Sequence, residues 1–113
     1  MPAANYDILI EQGATYRQEF VWKDSAGVAI NLTGYTARMQ VRQLKTETVL
    51  LSLVQGSGIT LGVNGSILIF VSATATTALP LVPARYDLEL QSADGTVTRL
   101  IQGDVTISAE VTR

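Results

Sequence analysis

The sequence contains no cysteine and no histidine, and each absence removes a class of chemistry. Without cysteine there is no disulfide framework, no thiolate nucleophile and no cysteine-based zinc site. Without histidine the chain lacks the usual general base near neutral pH and the commonest metal ligand. We therefore expect a protein that is not an enzyme and that uses no metal and no cofactor.

Charge is also scarce. Only 16% of the 113 residues are charged, and the formal net charge is −2; an average domain has about 25% charged residues. This balance gives no electrostatic reason to bind nucleic acid or an anionic membrane. The charges are unevenly placed, because none occurs from Thr48 to Ala84, a stretch of 37 residues. Prolines and glycine-rich turns interrupt that stretch. No continuous apolar run in it approaches the roughly 20 residues that a membrane-spanning helix needs.

Length and hydrophobicity favour one folded domain over residues 1–113. With 47% hydrophobic residues at low net charge, the composition excludes a disordered chain. The N-terminus has no basic region followed by a long apolar run, so we expect no secretory signal. Residues 1–7 are interpreted as an N-terminal arm that could extend the sheet of a neighbouring subunit.

Strict alternation of apolar and polar residues, typical of half-buried strands, occurs in four segments: 15–23, 36–42, 85–91 and 104–112. Turn sequences containing Gly27, Gly65 and Gly95 separate strand-like runs. We predict strands near 6–11, 14–23, 28–31, 35–43, 49–54, 58–61, 66–72, 84–91, 96–101 and 104–112. One helical turn is predicted at 72–79, capped by Ser72 or Thr74. Many short strands with frequent turns indicate an all-β sandwich or a small barrel.

Two patterns of charged residues are candidate functional sites. Asp87 and Glu89 share one strand face about 7 Å apart, a spacing in the range of acid–base pairs, but a solvated outer face is the favoured interpretation. Arg38, Arg42 and Lys45 form a small basic edge. Three cations on a net-negative domain are weak evidence for nucleic-acid binding, so ordinary solvation is favoured there too.

The uncharged stretch supplies the candidate interface. Its segments 49–54 and 66–72 carry apolar residues at consecutive positions, so both faces of each strand would be covered. A lone sandwich buries only one face of each sheet. Either these strands are central ones capped by loops, or another copy or another protein covers their outer face. The candidate interface residues are Leu50, Leu51, Leu53, Leu68, Phe70 and Trp22. Trp22 could alternatively be a sugar-stacking platform, although its alternation with Tyr16 and Phe20 favours a core or interface aromatic.

The order of the turn and strand motifs resembles the N-terminal domain of phage baseplate upper proteins. A short strand is followed by Gln-Gly-x-Thr, a strand ending Lys-Asp-x-x-Gly, an apolar residue, Leu-Thr-Gly and an alternating strand. These positions are Gln12, Gly13, Thr15, Lys23, Asp24, Gly27, Ile30, Leu32, Thr33, Gly34, Ala37, Met39 and Val41. The second half continues with a Gly-Ser-Ile-Leu-Ile strand, Arg-Tyr-Asp-Leu-Glu-Leu, Asp-Gly and Gly-Asp-Val-Thr-Ile, so the likeness runs from about Ile8 to Thr112.

The resemblance implies an immunoglobulin-like antiparallel β-sandwich that serves as a structural protein in the virion of a tailed bacteriophage. Its place would be the tail or baseplate, after assembly in the host cytoplasm. Its partners would be other virion proteins and copies of itself, with no nucleic acid, membrane or small-molecule substrate. Family members often have Gly just before the position of Tyr86, where this chain has Arg85, and the sequence has no downstream coiled coil or receptor-binding module. A capsid decoration or collar protein and a carbohydrate-binding module are the alternatives.

Overall fold

The computed structural model describes residues 3–109. Strands and a single short helix make up this part of the chain, in the following order: β1 (Ala4–Asn5), β2 (Ile8–Glu11), β3 (Tyr16–Val21), β4 (Thr36–Gln43), β5 (Val49–Gln55), β6 (Gly58–Leu61), β7 (Ser66–Val71), α1 (Ala73–Thr77), β8 (Ala84–Gln91) and β9 (Val97–Ser108). Ser72 caps α1 by accepting a hydrogen bond from the Ala75 N–H, as one of the two predicted caps. No helix in residues 3–109 is long and apolar enough to cross a membrane.

The strands form two layers joined at one corner. Hydrogen-bonded neighbours follow the order β1-β9-β8-β4-β5-β6-β7-β3, and β2 also pairs with β9. The β5–β6 step consists of only two residue pairs, Val54↔Gly58 and Gln55↔Ile59, across a tight turn. We call β1, β2, β9, β8, β4 and β5 the larger sheet, and β6, β7 and β3 the smaller sheet. The smaller sheet holds the B, E and D strands of an immunoglobulin fold and the larger one the C, C′, F and G strands.

The inward faces of both sheets meet in one core. Met39, Val41 and Leu88 contribute from the larger sheet, and Ile67 and Ile69 from the smaller one, all nearly inaccessible to water. These residues occupy alternate positions on their strands, because successive side chains of a strand point to opposite faces. The fold is therefore an all-β sandwich, as the strand pattern predicted, with the immunoglobulin-like arrangement that the resemblance implied.

The largest differences from the predicted strands occur at two places. The expected strand at 28–31 is reduced to an isolated bridge between Lys23 and Ala29. The expected strands at 96–101 and 104–112 are one continuous strand, β9, which passes through Gly103. Residues 110–112 of the second prediction lie outside the described part of the chain. The sequence around Gly103 suggests the end of one strand and the start of another. In the structure the strand continues, and the absence of a side chain at Gly103 makes room for the backbone of Tyr6.

The N-terminal arm expected at residues 1–7 is not free over its described part. Ala4 and Asn5 pair in parallel with β9 of the same chain. The Tyr6 N–H donates to the Gln102 carbonyl (2.9 Å), and the Tyr86 hydroxyl donates to the Tyr6 carbonyl. The Asp7 carboxylate accepts from the Asp104 N–H at 2.9 Å. Residues 4–7 are thus an edge of the larger sheet rather than a free arm. Only the side of this edge that faces away from β9 is left to pair with a neighbouring subunit.

A buried hydroxyl ties α1 to the turn that follows β2. Thr76 is fully buried, and its Oγ1 accepts from the Gly13 N–H at 3.1 Å. The same oxygen lies 2.9 Å from the Ala14 carbonyl and 3.1 Å from the Ala73 carbonyl. One side chain therefore satisfies backbone groups of two segments, as buried polar groups require.

Replacing Thr76 with valine is expected to lower the free energy of unfolding by about 1–3 kcal/mol, because the part-buried hydrogen bonds to the Gly13 N–H and the Ala14 carbonyl are lost, at about 0.5–1.5 kcal/mol each. Urea denaturation measures this difference. Thr76→Ser is the matched control: it keeps the hydroxyl and loses one methyl group, so it should cost about 1 kcal/mol. Equal losses in the two variants would contradict the hydrogen-bond explanation.

Candidate interaction surfaces

The six candidate interface residues lie in three different environments. Leu53 is only 7% exposed and belongs to the core. Three residues are half-buried and pack against the core: Leu50, Leu51 and Trp22. Leu68 and Phe70, at 37% and 39% exposed, lie on the outer face of the smaller sheet. The structure therefore brings only Leu68 and Phe70 together on a free surface.

Trp22 is held at one end of the core. Its ring packs edge-on against Tyr35, with 5.9 Å between centroids and an interplanar angle of 89°. Its backbone N–H donates to the Gly65 carbonyl, and its own carbonyl accepts from the Ile30 N–H, both at 2.9 Å. These contacts favour the core-aromatic interpretation over a stacking platform for sugars.

The outer face of the smaller sheet carries an exposed apolar strip, which we define as Val21, Leu68 and Phe70. Arg17, opposite Phe70 in the β3–β7 register, lies over its ring at 5.3 Å from the centroid. Glu19 is opposite Leu68 and accepts from the Ser66 hydroxyl at 2.9 Å. In the described chain β3 pairs only with β7, so the other edge of β3 is unpaired beside the strip.

The outer face of the larger sheet is charged instead. We call it the charged face: Arg38, Gln40, Arg42, Arg85, Asp87, Glu89, Arg99, Gln102 and Asp104. Glu89 lies directly between Arg38 and Arg99 in the strand register, and Asp87 lies between Gln40 and Gln102. Most of these side chains line a shallow depression of about 600 Å³ that is open to solvent.

Ion pairs on the charged face engage both members of the candidate acid–base pair, Asp87 and Glu89. Arg38 Nε lies 2.8 Å from Glu89 Oε1, and Arg99 Nε lies 3.4 Å from Asp87 Oδ2. Each carboxylate therefore binds a guanidinium, which favours the solvated-face interpretation of Asp87 and Glu89. Among residues 3–109, no group of three or more carboxylates could hold a metal ion.

Arg85 lies on the charged face directly opposite Arg42. The predicted basic edge included Arg42 and Arg38 but not Arg85, which lies 43 residues further along the chain than Arg42. Lys45 lies outside the strands, in the β4–β5 turn. The sequence could have brought Arg42 and Arg85 together only if the alternating segments 36–42 and 85–91 were paired as antiparallel neighbours. That pairing needs a strand register, which the sequence does not supply.

Glu47, in the turn between β4 and β5, has a backbone conformation that favours glycine. Its φ is 58°, and it is the one non-glycine residue of 3–109 with a positive φ. Its N–H donates to the Gln43 carbonyl (2.8 Å), and its carbonyl accepts from Arg42 Nη1 (3.0 Å). The strained backbone therefore places an acceptor for Arg42.

Glu47→Gly is expected to raise the free energy of unfolding by about 0.5–1 kcal/mol. The left-handed conformation costs an L-residue roughly 1–2 kcal/mol, and the extra freedom of glycine in the unfolded chain returns roughly half of that. Chemical denaturation measures the gain. Lys45→Gly, in the same turn but without positive φ, should lower stability instead. If both variants lost stability equally, the strain would be absent.

Burial shifts the titration of two tyrosines near the N-terminal segment. It raises the pKa of Tyr16 from 10.0 to about 12, with a smaller contribution from Tyr6. Burial also raises the pKa of Tyr86, with further contributions from Tyr16, Tyr6 and Asp7. At the β8–β9 turn, hydrogen bonds from the Ser92 hydroxyl and the Thr96 N–H lower the pKa of Asp94, which favours the ionised carboxylate.

Stability is expected to fall as pH rises through 10 towards 12. The folded pKa of Tyr16 lies above its unfolded value, so its contribution is complete below pH 10 and is lost as the unfolded chain ionises first. Thermal melts between pH 9 and pH 12 measure the slope. Tyr16→Phe should flatten it, and an unchanged slope in that variant would contradict the assignment.

The strand order and the shared core define an immunoglobulin-like β-sandwich with two solvent-exposed sheet faces, one apolar in part and one charged. No protein-family model and no curated protein matches the chain.

The chain is similar to several solved structures at low sequence identity. The extracellular domain of the voltage-gated sodium channel beta4 subunit, described as a parallel homodimer in cell–cell adhesion, is 14% identical, with 98% of this chain and 97% of that chain covered at a TM-score of 0.47. A second structure, from work on multimeric cell-adhesive interactions of these beta subunits, is 12% identical, with 96% and 93% covered at 0.48. Extracellular domains 3–5 of Drosophila OTK are 12% identical at 0.41, with 94% and 33% covered.

Proposed function

We propose that this chain is a non-enzymatic structural protein of a tailed bacteriophage virion, located in the tail or baseplate. It acts through protein–protein contacts with other virion proteins and with copies of itself. The observation that carries this proposal is the apolar strip of the smaller sheet beside the unpaired edge of β3, a surface suited to a second copy.

The motifs that resemble baseplate upper proteins support the proposal, because their residues occupy structurally important turn and core positions. Gly13, Gly27 and Gly34, one from each of its three glycine motifs, all have φ between 81° and 84°. Asp24 Oδ1 accepts from the Ala26 and Val28 N–H groups, at 2.9 and 3.0 Å. Leu32 is buried in the core. The residues that carry the resemblance are thus residues that form turns or pack in the core, which is what a common fold would require.

Location in the virion can be tested directly. Virions are purified from a lysate of the phage that encodes the chain, analysed by mass spectrometry and labelled with antibodies against the domain for electron microscopy. We expect the protein in stoichiometric amount, with label at the tail or baseplate. Label on the capsid or neck would instead assign the decoration or collar alternative, and absence from purified virions would overturn the proposal.

A further inference from the structure

We propose that Arg42 and Arg85 on the charged face together bind a carboxylate of an acidic segment of a partner protein. This assignment rests on the proposed function, because a virion assembly supplies the protein partner. It names a second surface, on the opposite side of the sandwich from the apolar strip.

The two guanidinium side chains break a local rule of sheet construction. Arg42 and Arg85 are directly opposite each other in the β4–β8 register. Like charges at directly opposite positions destabilise a sheet, whereas the neighbouring pair Arg38↔Glu89 follows the rule. Asp104 lies opposite Arg85 on its other side, but the two side chains form only a long, exposed pair. A breach that is offset so weakly points to a function of the site rather than to folding.

Neither arginine has a good carboxylate partner. The ion pairs of residues 3–109 do not include Arg42. Arg85 Nε lies 3.8 Å from Asp104 Oδ1, and both of these side chains are more than 60% exposed. An exposed pair at that distance contributes little. The positive charge of the two side chains is therefore largely uncompensated.

Arg42 is nevertheless held in place by neutral acceptors. Its Nη2 donates to Gln40 Oε1 at 2.8 Å and its Nη1 to the Glu47 carbonyl at 3.0 Å. That carbonyl is positioned by the left-handed backbone of Glu47, and a β-bulge in the β4–β5 pairing falls between Val41 and Arg42. Bulges and strained residues next to a side chain commonly fix its direction. The guanidinium is thus oriented before any partner arrives.

The chemistry of the surroundings favours a protein carboxylate over a nucleic acid. The depression that holds Arg42 and Arg85 is also lined by Glu47, Asp87 and Glu89. An extended polyanion would have to place phosphates against these carboxylates. A protein surface can instead present an acidic side chain to the two arginines and leave neutral or basic groups against the acids. Guanidinium groups bind carboxylates bidentately, which suits a single well-placed Asp or Glu.

Peptide titration tests the site in the isolated domain. The probes are a capped eight-residue peptide of alternating Glu and Leu, the same peptide with Gln in place of Glu, and an eight-nucleotide single-stranded DNA. Nuclear magnetic resonance follows the arginine Nε–Hε signals. We expect the Glu peptide to shift the signals of Arg42 and Arg85 and the Gln peptide to leave them unmoved. Arg85→Gln and Arg42→Gln should each weaken binding about tenfold, and Arg17→Gln, on the smaller sheet, should not.

A stability measurement separates a binding role from a structural one. Because each substitution removes a like-charge contact, Arg85→Gln and Arg42→Gln should raise Tm by about 1–3 °C while weakening the peptide. The inference is overturned if Tm falls in both variants, if the Gln peptide binds equally, if the shifts spread equally to Arg17, or if the DNA binds more tightly than the Glu peptide. None of these results depends on virion location, which the labelling experiment decides separately.

Discussion

A Leu68→Lys, Phe70→Lys double variant is expected to fold normally and to lose self-association. Both side chains lie on the outer face of the smaller sheet and are more than one-third exposed, so lysine can extend into water there. Leu68 faces Glu19 in the strand register, so a lysine at 68 gains an opposite charge, which offsets the like charge that a lysine at 70 meets in Arg17. In an interface between copies, however, two apolar contacts would be replaced by two charges that must lose water.

Burying a large apolar side chain is worth about 1.5–3 kcal/mol. Leu68 and Phe70 have only about two-fifths of their surface left to bury, so removal of both from an interface should weaken association about tenfold or more. Sedimentation velocity over a range of concentrations measures association of the isolated domain, and incorporation into virions measures the same contact in the assembly. Circular dichroism and the midpoint of thermal unfolding establish that the variant is folded.

Two controls make this result specific to the apolar strip. Leu81→Lys changes an exposed leucine, 56% accessible, in the loop between α1 and β8, and should leave association unchanged. Leu50→Lys changes a residue that packs against the core and should destabilise the fold instead. Self-association that survives the double variant would exclude the strip as an interface, and unfolding of the double variant would show that these side chains support the core.

The contrast between Leu50 and Leu68 marks the limit of what the sequence predicts here. Alternating segments define β4 and β8 to within one residue at each end, because an alternating pattern fits only one strand register relative to the core. The runs at 49–54 and 66–72 are apolar at consecutive positions, and such a pattern identifies a strand without identifying its inner face. Only the neighbouring strands decide that Leu53 points into the core and Phe70 away from it.

The charged face could not be predicted from the sequence for a related reason. Sequence spacing places Asp87 and Glu89 on one strand face correctly, but it contains no information about the strand next to them. Pairing with β4 and β9 turns this face into ion pairs, and the same register sets Arg42 against Arg85. Interactions of this kind depend on strand order, which in an immunoglobulin-like sandwich joins segments far apart in the chain.

Gly103 is the position where a single methyl group is expected to have the largest effect on stability. A Cβ at this residue would lie 2.7 Å from the carbonyl carbon of Tyr6 and 2.9 Å from the Asp7 carboxylate. These neighbouring atoms are mainly backbone, so a Cβ at residue 103 could be accommodated only if the N-terminal segment moved away from β9. Such a movement breaks the hydrogen bonds from the Tyr6 N–H to Gln102, from the Tyr86 hydroxyl to Tyr6, and from the Asp104 N–H to Asp7.

Gly103→Ala is therefore expected to lower the free energy of unfolding by about 3 kcal/mol, at about 1 kcal/mol for each of the three hydrogen bonds. Hydrogen exchange should show loss of protection at the Tyr6 amide while the amides of β4 and β8 remain protected. Tyr86→Phe removes only the hydroxyl bond to Tyr6 and should lower stability by about 1 kcal/mol.

Gly62→Ala serves as the control for the introduced methyl group. Its Cβ would meet only side-chain atoms, at 3.2 Å or more, and its φ lies outside the left-handed region, so the change should cost less than about 1 kcal/mol. Full stability of Gly103→Ala, with a protected Tyr6 amide, would show that the N-terminal segment can shift without losing β9. That result would return residues 4–7 to the role of an arm able to pair with a neighbouring subunit, since a segment that tolerates displacement at Gly103 is held by little of its own fold.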